Sequence, residues 1–161
     1  MSLTTTTLET PVGPLVALFE GARLRMLEFG DGAKYPSHLH AERPTPRKHP
    51  GLARIRAYFE GDLEALDTIE VEGAGTPFQK RVWAALRRIK VGSTLSYAGL
   101  AEEIGAPSAC RAVASANARN PIAIVVPCHR VIGSDGRLSG YGGGVARKRW
   151  LLTHEGVNVK K

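Results

Sequence analysis

Ser96-Tyr97-Ala98-Gly99-Leu100-Ala101-Glu102-Glu103-Ile104-Gly105 reads as a short helix stopped by glycine. Ala106-Pro107-Ser108 is a three-residue turn, and it leads into Ala109-Cys110-Arg111-Ala112-Val113-Ala114-Ser115-Ala116-Asn117-Ala118-Arg119. Glycine ends the first helix because it accepts the left-handed backbone that a helix terminus uses. The second helix carries Ala112, Val113 and Ala116 on one side, small enough for two helices to cross closely. Helix, short turn, helix is the helix-turn-helix pattern. Plain helix hairpins share it, so the pattern alone leaves a DNA-binding and a purely packing role both open.

Upstream of this pair, Thr76-Pro77 offers a capping hydroxyl and a proline at the first helical position. Phe78, Val82, Trp83, Leu86 and Ile89 give that helix its apolar stripe, and Gly92 ends it. Gly73-Ala74-Gly75 reads as a linker. Before it, residues 4–10, 15–20 and 24–29 are short apolar runs cut by Pro11-Val12-Gly13-Pro14 and Gly21-Ala22, which predicts three strands. Residues 30–50 are rich in Gly, Pro, His and Arg and read as a loop. Leu52, Ile55, Tyr58 and Phe59 have helical spacing up to Gly61, and residues 68–72 alternate like one more strand. The expected architecture is α+β in two domains. Residues 1–75 form a small antiparallel sheet with a helix, and residues 76–161 are mostly helical.

Charge follows the same division. Residues 1–75 hold eight Lys/Arg and eleven Asp/Glu, a balance of −3, whereas residues 76–161 hold fourteen and four, a balance of +10. A polyanion is the natural partner of the second half. With 43% hydrophobic and 23% charged residues, the chain can build a core, which excludes a disordered tail. No apolar run approaches the roughly 18 residues of a membrane span, and Met1-Ser2-Leu3 with its four following threonines does not read as a secretory signal. Two cysteines, Cys110 and Cys128, cannot make a disulfide framework and read as reduced thiols in a cytosol.

The chemistry is concentrated in Asn120-Pro121-Ile122-Ala123-Ile124-Val125-Val126-Pro127-Cys128-His129-Arg130-Val131-Ile132. Five apolar or small residues between two prolines predict a short buried strand or extended run that delivers a Cys-His pair to the end of a rigid element. A free thiol has a pKa of about 8.5, so little thiolate exists at neutral pH without a base. A histidine oriented by a carboxylate is the usual remedy, and Glu155, at the end of a helix over residues 145–153, is the candidate carboxylate. Trp150, Leu151 and Leu152 are expected to pack that helix inward. Neighbouring side chains on a strand point apart, so a turn or helical geometry is expected at Cys128, with a water between thiol and imidazole. The competing reading is an inert core thiol, since free cysteine is often buried.

Pro127-Cys128-His129-Arg130, within Ile124 to Ile132, resembles the active-site signature of the O6-alkylguanine-DNA alkyltransferases, also called methylated-DNA–protein-cysteine methyltransferases. Phe78-Gln79-Lys80-Arg81-Val82-Trp83, Ser96-Tyr97, Arg111-Ala112-Val113, Asn120-Pro121, Gly140-Tyr141-Gly142-Gly143-Gly144 and Leu151-Leu152-Thr153-His154-Glu155-Gly156 fit the family in the same order. The likeness covers nearly all of residues 76–161. The first half matches loosely, through Thr10-Pro11-Val12-Gly13-Pro14-Leu15 and Ala57-Tyr58-Phe59-Glu60-Gly61.

The resemblance implies an RNase H-like first domain and a winged helix-turn-helix-like second one. It implies that Cys128 takes the alkyl group from the guanine oxygen of a flipped-out nucleotide in double-stranded DNA, once and irreversibly. O4-alkylthymine is a candidate second substrate. His129 would take the thiol proton, Glu155 would hold the imidazole, and Asn120 would tie the turn to the active-site segment. Arg111 would fill the gap in the base stack, with Tyr97, Ala112, Ser115, Ala116 and Ser134 also on the DNA. Tyr97, Val131, Tyr141 and Gly142 would line the pocket, the carbonyls of Cys128 and Val131 receiving the exocyclic amine. Arg130 is expected to be a structural ion-pair partner, because a buried arginine needs a carboxylate. Cys110 stands where the family usually has alanine, and no acceptor role is expected of it. Some members hold zinc in the first half; here it has no cysteine, His38, His40 and His49 lie in the loop, and no metal or cofactor is predicted. The chain resembles the stand-alone repair protein, expected as a cytoplasmic, nucleoid-associated monomer, with cooperative assembly on DNA left open. A lesion-binding protein without chemistry and a Cys-His-Glu hydrolase are the competing classes.

Overall fold

The computed structural model describes residues 3–30, 49–138 and 140–159. They belong to two compact units, Met1–Ala74 and Gly75–Lys161, and the protein is α+β.

In the first unit, β1 (Leu3–Leu8), β2 (Leu15–Glu20) and β3 (Arg23–Phe29) form an antiparallel sheet in the order β1-β2-β3. Every residue of β2 from Leu15 to Phe19 is buried, which means both faces of the central strand are covered. Val16, Leu18 and Met26 pack together with Leu3 on one face, and by alternation Leu15, Ala17 and Phe19 occupy the other. Leu18 pairs with Met26 but Phe19 with Leu24, so Arg25 is the extra residue of a β-bulge. Gly21, at φ +59°, starts the two-residue turn between β2 and β3. Thr10, expected in β1, is in the turn instead: its hydroxyl donates to Gly13 O (2.6 Å) and accepts from Val12 N–H (3.1 Å).

Helix α1 (Pro50–Phe59) buries Leu52, Ile55 and Tyr58. Its cap is His49, whose Nδ1 accepts from Gly51 N–H (2.9 Å). That leaves Nε2 as the donor to Gly21 O (2.8 Å), and the ring stacks on Phe19 at 3.7 Å. Both nitrogens of His49 are thus engaged in the fold. His38 and His40 lie outside the described residues. The strand expected over 68–72 is reduced to one bridge. Ala65–Thr68 is a 3-10 turn, and only Val71 pairs with Leu24, in parallel. Ile69 is buried without joining the ladder, so an alternating pattern here reports burial and not strand pairing.

In the second unit, α2 (Pro77–Arg87) starts with a full capping box between Thr76 and Gln79. Val82, Trp83, Ala85 and Leu86 are buried; Ile89, assigned to the helical stripe, is also buried although the helix has ended. Two-residue strands β4 (Leu95–Ser96) and β5 (Val131–Ile132) pair in parallel. Helices α3 (Tyr97–Glu103) and α4 (Cys110–Ala118) follow β4, with Ser96 capping α3 through Gly99 N–H. Trp83 Nε1 donates to Ala116 O (2.8 Å), which ties α2 to α4. Helix α5 (Val145–His154) closes the unit.

The buried strand or extended run expected over 122–126 is absent. Val125 N–H donates to Ala123 O (2.8 Å) and Val126 N–H to Ile122 O (3.1 Å), so the chain folds back on itself. Ile124 sits at φ +71°, a left-handed conformation rare for a β-branched residue. The apolar composition is explained by burial of Ile122, Ile124, Val125 and Val126, which a turn satisfies as well as a strand.

Candidate active site

One side chain folds the segment before the thiol. Asn120 Nδ2 donates to the carbonyls of Ile122 (3.2 Å) and Val126 (2.7 Å), while its Oδ1 accepts from Ile122 N–H (3.0 Å). Pro121 and Pro127 have no N–H to offer, so the amide supplies the bonds a ladder would have supplied. Cys128 N–H then donates to Val126 O (2.8 Å), and Cys128–Arg130 forms a 3-10 turn, the helical geometry expected there.

All three residues of that turn are buried, and Glu155 meets two of them. Its Oε2 lies 2.8 Å from His129 Nε2, and its Oε1 lies 2.8 Å from Arg130 Nε. Arg130 Nη2 adds a bond to Oε2 (3.2 Å) and Nη1 donates to Ile89 O (2.6 Å). Arg130 is therefore a structural partner, as its chemistry suggested.

The protonation states follow. Burial would raise the Glu155 carboxyl, but the bonds and charges of His129 and Arg130 overcome it and hold the group at about 2. A carboxylate has no proton to give, so the hydrogen between the pair is on His129 Nε2. Nδ1 then carries a bare lone pair, and it has no hydrogen-bond partner among the described residues. Burial pushes His129 below its ordinary value against the pull of Glu155, which keeps the ring neutral near pH 7. Burial likewise pushes the Cys128 thiol up, with the Asn120 side chain and the Lys148 charge working the other way. The resting site is a neutral thiol beside a neutral imidazole base that is anchored by an anion. A thiol, an imidazole and a carboxylate are the components from which an activated thiol nucleophile is built.

The 6-O-methylguanine DNA methyltransferase DNA-binding-domain profile matches residues 77–157. A methylated-DNA–protein-cysteine methyltransferase of Salmonella typhimurium is 46% identical over 160 residues, 91% of this chain and 92% of its own. The Mycobacterium tuberculosis protein of the same name is 48% identical over 150 residues, 92% of this chain and 90% of its own. The chain belongs to the methylated-DNA–protein-cysteine methyltransferase family. The crystal structure of a Mycobacterium tuberculosis family member, OGT in complex with DNA, matches with a TM-score of 0.81 at 43% identity, over 95% of this chain and 93% of that one.

Within this methyltransferase fold, the residues expected at the site fall into two sets. Cys128, His129 and Glu155 are buried, and half-buried Asn120 reaches the same segment through its bond to Val126 O. Tyr141 joins it: burial and the Cys128 charge push its phenol well above its ordinary value. Val131 follows the 3-10 turn and is buried, its N–H donating to Cys128 O. Tyr97 is half-buried directly after β4, where the Ser96–Ile132 pairing sets it beside the end of the nucleophile segment. The second set is exposed: Arg111, Ala112 and Ser115 on α4, Ser134 in the turn after β5, and Gly142, whose Cβ position opens on free space. Ala116 departs from the expectation for the DNA face. It is buried, with its carbonyl bonded to Trp83, so its side chain faces the core. Cys110 is exposed at the start of α4.

Two departures concern α5. Trp150 is only half-buried and stacks on His154 at 4.7 Å. The buried stripe is Lys148, Leu151, Leu152 and Glu155. Lys148 was missed because a lysine reads as solvent-facing. The signal lay in its spacing, seven residues from Glu155 with two leucines between.

Proposed function

We propose that this protein repairs DNA by moving an alkyl group from the O6 atom of guanine onto Cys128, in one irreversible step. The observation that carries this reading is the buried thiol beside an imidazole whose Nε2–H is fixed on an ionised Glu155. His129 Nδ1 takes the thiol proton, directly or through a water. The sulfur attacks the alkyl carbon, the S–C bond forms, the C–O bond breaks, and the electron pair leaves with the purine oxygen. A thioether has no ready leaving route, so each chain acts once. The alkylated oxygen lies inside the base stack, so the nucleotide must be extruded, at a cost of about a few kcal/mol.

The finer assignments belong to the same reading. The first unit is RNase H-like and supports the second, a winged helix-turn-helix-like domain that binds duplex DNA and accepts the alkyl group. Arg111 enters the base stack, Ala112 and Ser115 approach the groove, Ser134 meets the backbone, and Tyr97 donates to the departing purine. Tyr141, Gly142 and the carbonyls of Cys128 and Val131 line the pocket. Asn117 of helix α4 is buried, which leaves Arg111 as its one exposed base-reading side chain, and this suits a scanner of any sequence and not a sequence-specific repressor. The +10 balance of residues 76–161 suits phosphate binding. O4-alkylthymine is the candidate second substrate. The protein works as a cytoplasmic, nucleoid-associated monomer without a cofactor; among the described residues no helix is long and apolar enough to cross a membrane.

Incubation with a duplex carrying methyl-labelled O6-methylguanine tests the reading. One label per chain, lost in Cys128→Ser, is the expected result. Tight binding without label would make this a lesion-binding protein, and repeated turnover of an ester would make it a hydrolase. Arg111→Ala should slow repair in duplex by at least about tenfold while sparing reaction with free O6-alkylated guanine; equal losses would remove Arg111 from the base stack.

A further inference from the structure

Helix α2 has two unlike sides. Val82, Trp83, Ala85 and Leu86 are buried, and α2 packs on α3, α4 and the Cys128–Arg130 turn. Lys80, Arg81, Ala84 and Arg88 are exposed, and Arg87 is half-buried. At about 100° per residue these positions fall within a roughly 120° arc, opposite the buried side. Lys90, just beyond the helix, is exposed as well.

A solvated helix face ordinarily mixes the two signs, because opposite charges three or four residues apart stabilise it and like charges do not. Residues 76–101 hold five Lys/Arg and no Asp/Glu, so no such compensation is available within α2 or the turn after it. Arg81 donates to Ile104 O, at the end of α3. Among the described residues Lys80, Arg88 and Lys90 take part in no ion pair. Arg88 and Lys90 lie at the C-terminal end, where the helix dipole favours a cation. Lys80 lies near the N-terminal end, where the dipole disfavours one, and the first turn has no acid to offset it. An external anion laid along this side relieves the repulsion at both ends.

The side is also distinct from the one α4 exposes. Helix α4 buries Val113, Ala116 and Asn117, and Trp83 of α2 bonds Ala116 O. Arg111, Ala112 and Ser115 are on its exposed side. The two helices meet through their buried sides, so each meets solvent with the side turned away from that contact.

We propose that the outer face of α2 binds the phosphate backbone of a second segment of duplex DNA while α4 holds the first. This rests on the reading of α4 as the DNA face. Lysine and arginine ends replace counterions along the phosphates, so the contact carries no sequence preference. With two faces the protein passes from one segment to another without first going free in solution. That suits a chain which acts once and must sample many undamaged sites before its target.

The test uses the full chain and a fluorescent duplex without a lesion. Release of that duplex is followed by stopped flow at low salt, with unlabelled duplex added in increasing excess. A protein with one DNA face releases at a rate that the competitor does not change. A second face lets the competitor bind before the first duplex leaves. The parent's release rate should therefore rise at least about threefold for a tenfold increase in competitor, and the rise should vanish in high salt. Lys80→Gln/Arg88→Gln/Lys90→Gln replaces three exposed side chains that make no ion pair, so the fold is kept, and its release rate should be flat against competitor. Lys80→Arg/Arg88→Lys/Lys90→Arg keeps the charges and should behave as the parent. A parent rate that ignores competitor, which an acidic protein partner or a plainly solvated face would give, overturns the proposal. So does a neutral variant that keeps the rise, or a charge-keeping one that loses it. Failure of the labelled duplex assay with the competitor effect intact would instead remove the repair reading and leave a DNA-binding protein with two faces.

Discussion

Two ion-pair networks in this protein use the same chemistry in different surroundings. In the first unit Glu20 accepts from Arg23 (3.3 Å) and Arg25 (2.9 Å), and Arg23 also pairs with Glu72. Arg23 and Glu72 side chains are 34% and 41% exposed. In the second unit Glu155 and His129 side chains are fully buried and Arg130 is 7% exposed. Water screens the first network, and its pairs add little to stability. The second has no water to fall back on, so each partner depends on the others and their protonation states are set. The difference teaches that an arginine–carboxylate pair has no value of its own. Its surroundings decide whether it trims a sheet edge or fixes the protonation of a buried cluster.

Removing one partner from each network breaks the comparison most directly. Glu155→Ala leaves Arg130 buried without its carboxylate and frees the imidazole, so unfolding free energy should fall by about 3–5 kcal/mol in urea titration. Alkyl transfer should fall with it. A loss under about 1 kcal/mol would mean that water reaches the cluster and the two networks are alike.

Acid sharpens the contrast. The Glu155 carboxyl is depressed from its ordinary 4.5 to about 2. Its contribution is complete above pH 4.5 and is lost as pH falls toward 2, an effect on the order of 3 kcal/mol. His129 is depressed from 6.5, so the unfolded chain binds its proton first and stability already starts to decline below pH 6.5. Melting curves from pH 8 to 3 should therefore fall in two stages, and Glu155→Gln should flatten the lower one. A flat profile in the parent would contradict the buried assignment.

Asn120 is the uncharged counterpart of these networks. Asn120→Ala deletes three hydrogen bonds around a left-handed Ile124. It should cost about 1–3 kcal/mol, with a larger loss in the Cys128 alkylation rate than in stability. A variant that reacts normally would show that the prolines alone hold the turn. The smallest effect is expected at the exposed network: Glu72→Gln should change stability by less than about 1 kcal/mol, and less still in high salt.

Much of this was written locally in the chain. The capping box of α2, Ser96 at the start of α3 and the glycines after α1 and α3 act within four residues, where short-range hydrogen bonding dominates, and each appears near its expected place. Cys128 and His129 are adjacent, and neighbours on a strand point apart, so the expectation of a turn there followed from geometry alone, and Cys128–Arg130 is a 3-10 turn. What depended on distant contacts was harder to read. Residues 122–126 look like a strand because burial selects apolar side chains whatever the backbone does, and the Asn120 clasp with two prolines settles it as a turn. Within residues 68–72 only Val71 bridges to a strand, at Leu24. Ala116 is buried because α4 packs on α2, whose Trp83, 33 positions away, bonds its carbonyl.

The electrostatics of the site lie furthest from the sequence. Glu155 is 25 and 26 positions from its two partners, and only the packing of α5 on the nucleophile turn removes the water between them. Residue type dictated that a thiol, an imidazole and a carboxylate were available. Burial, which no single segment possesses, made the carboxylate an anion, the imidazole a neutral base and Lys148 part of the site, because the strength of a charge depends on what surrounds it.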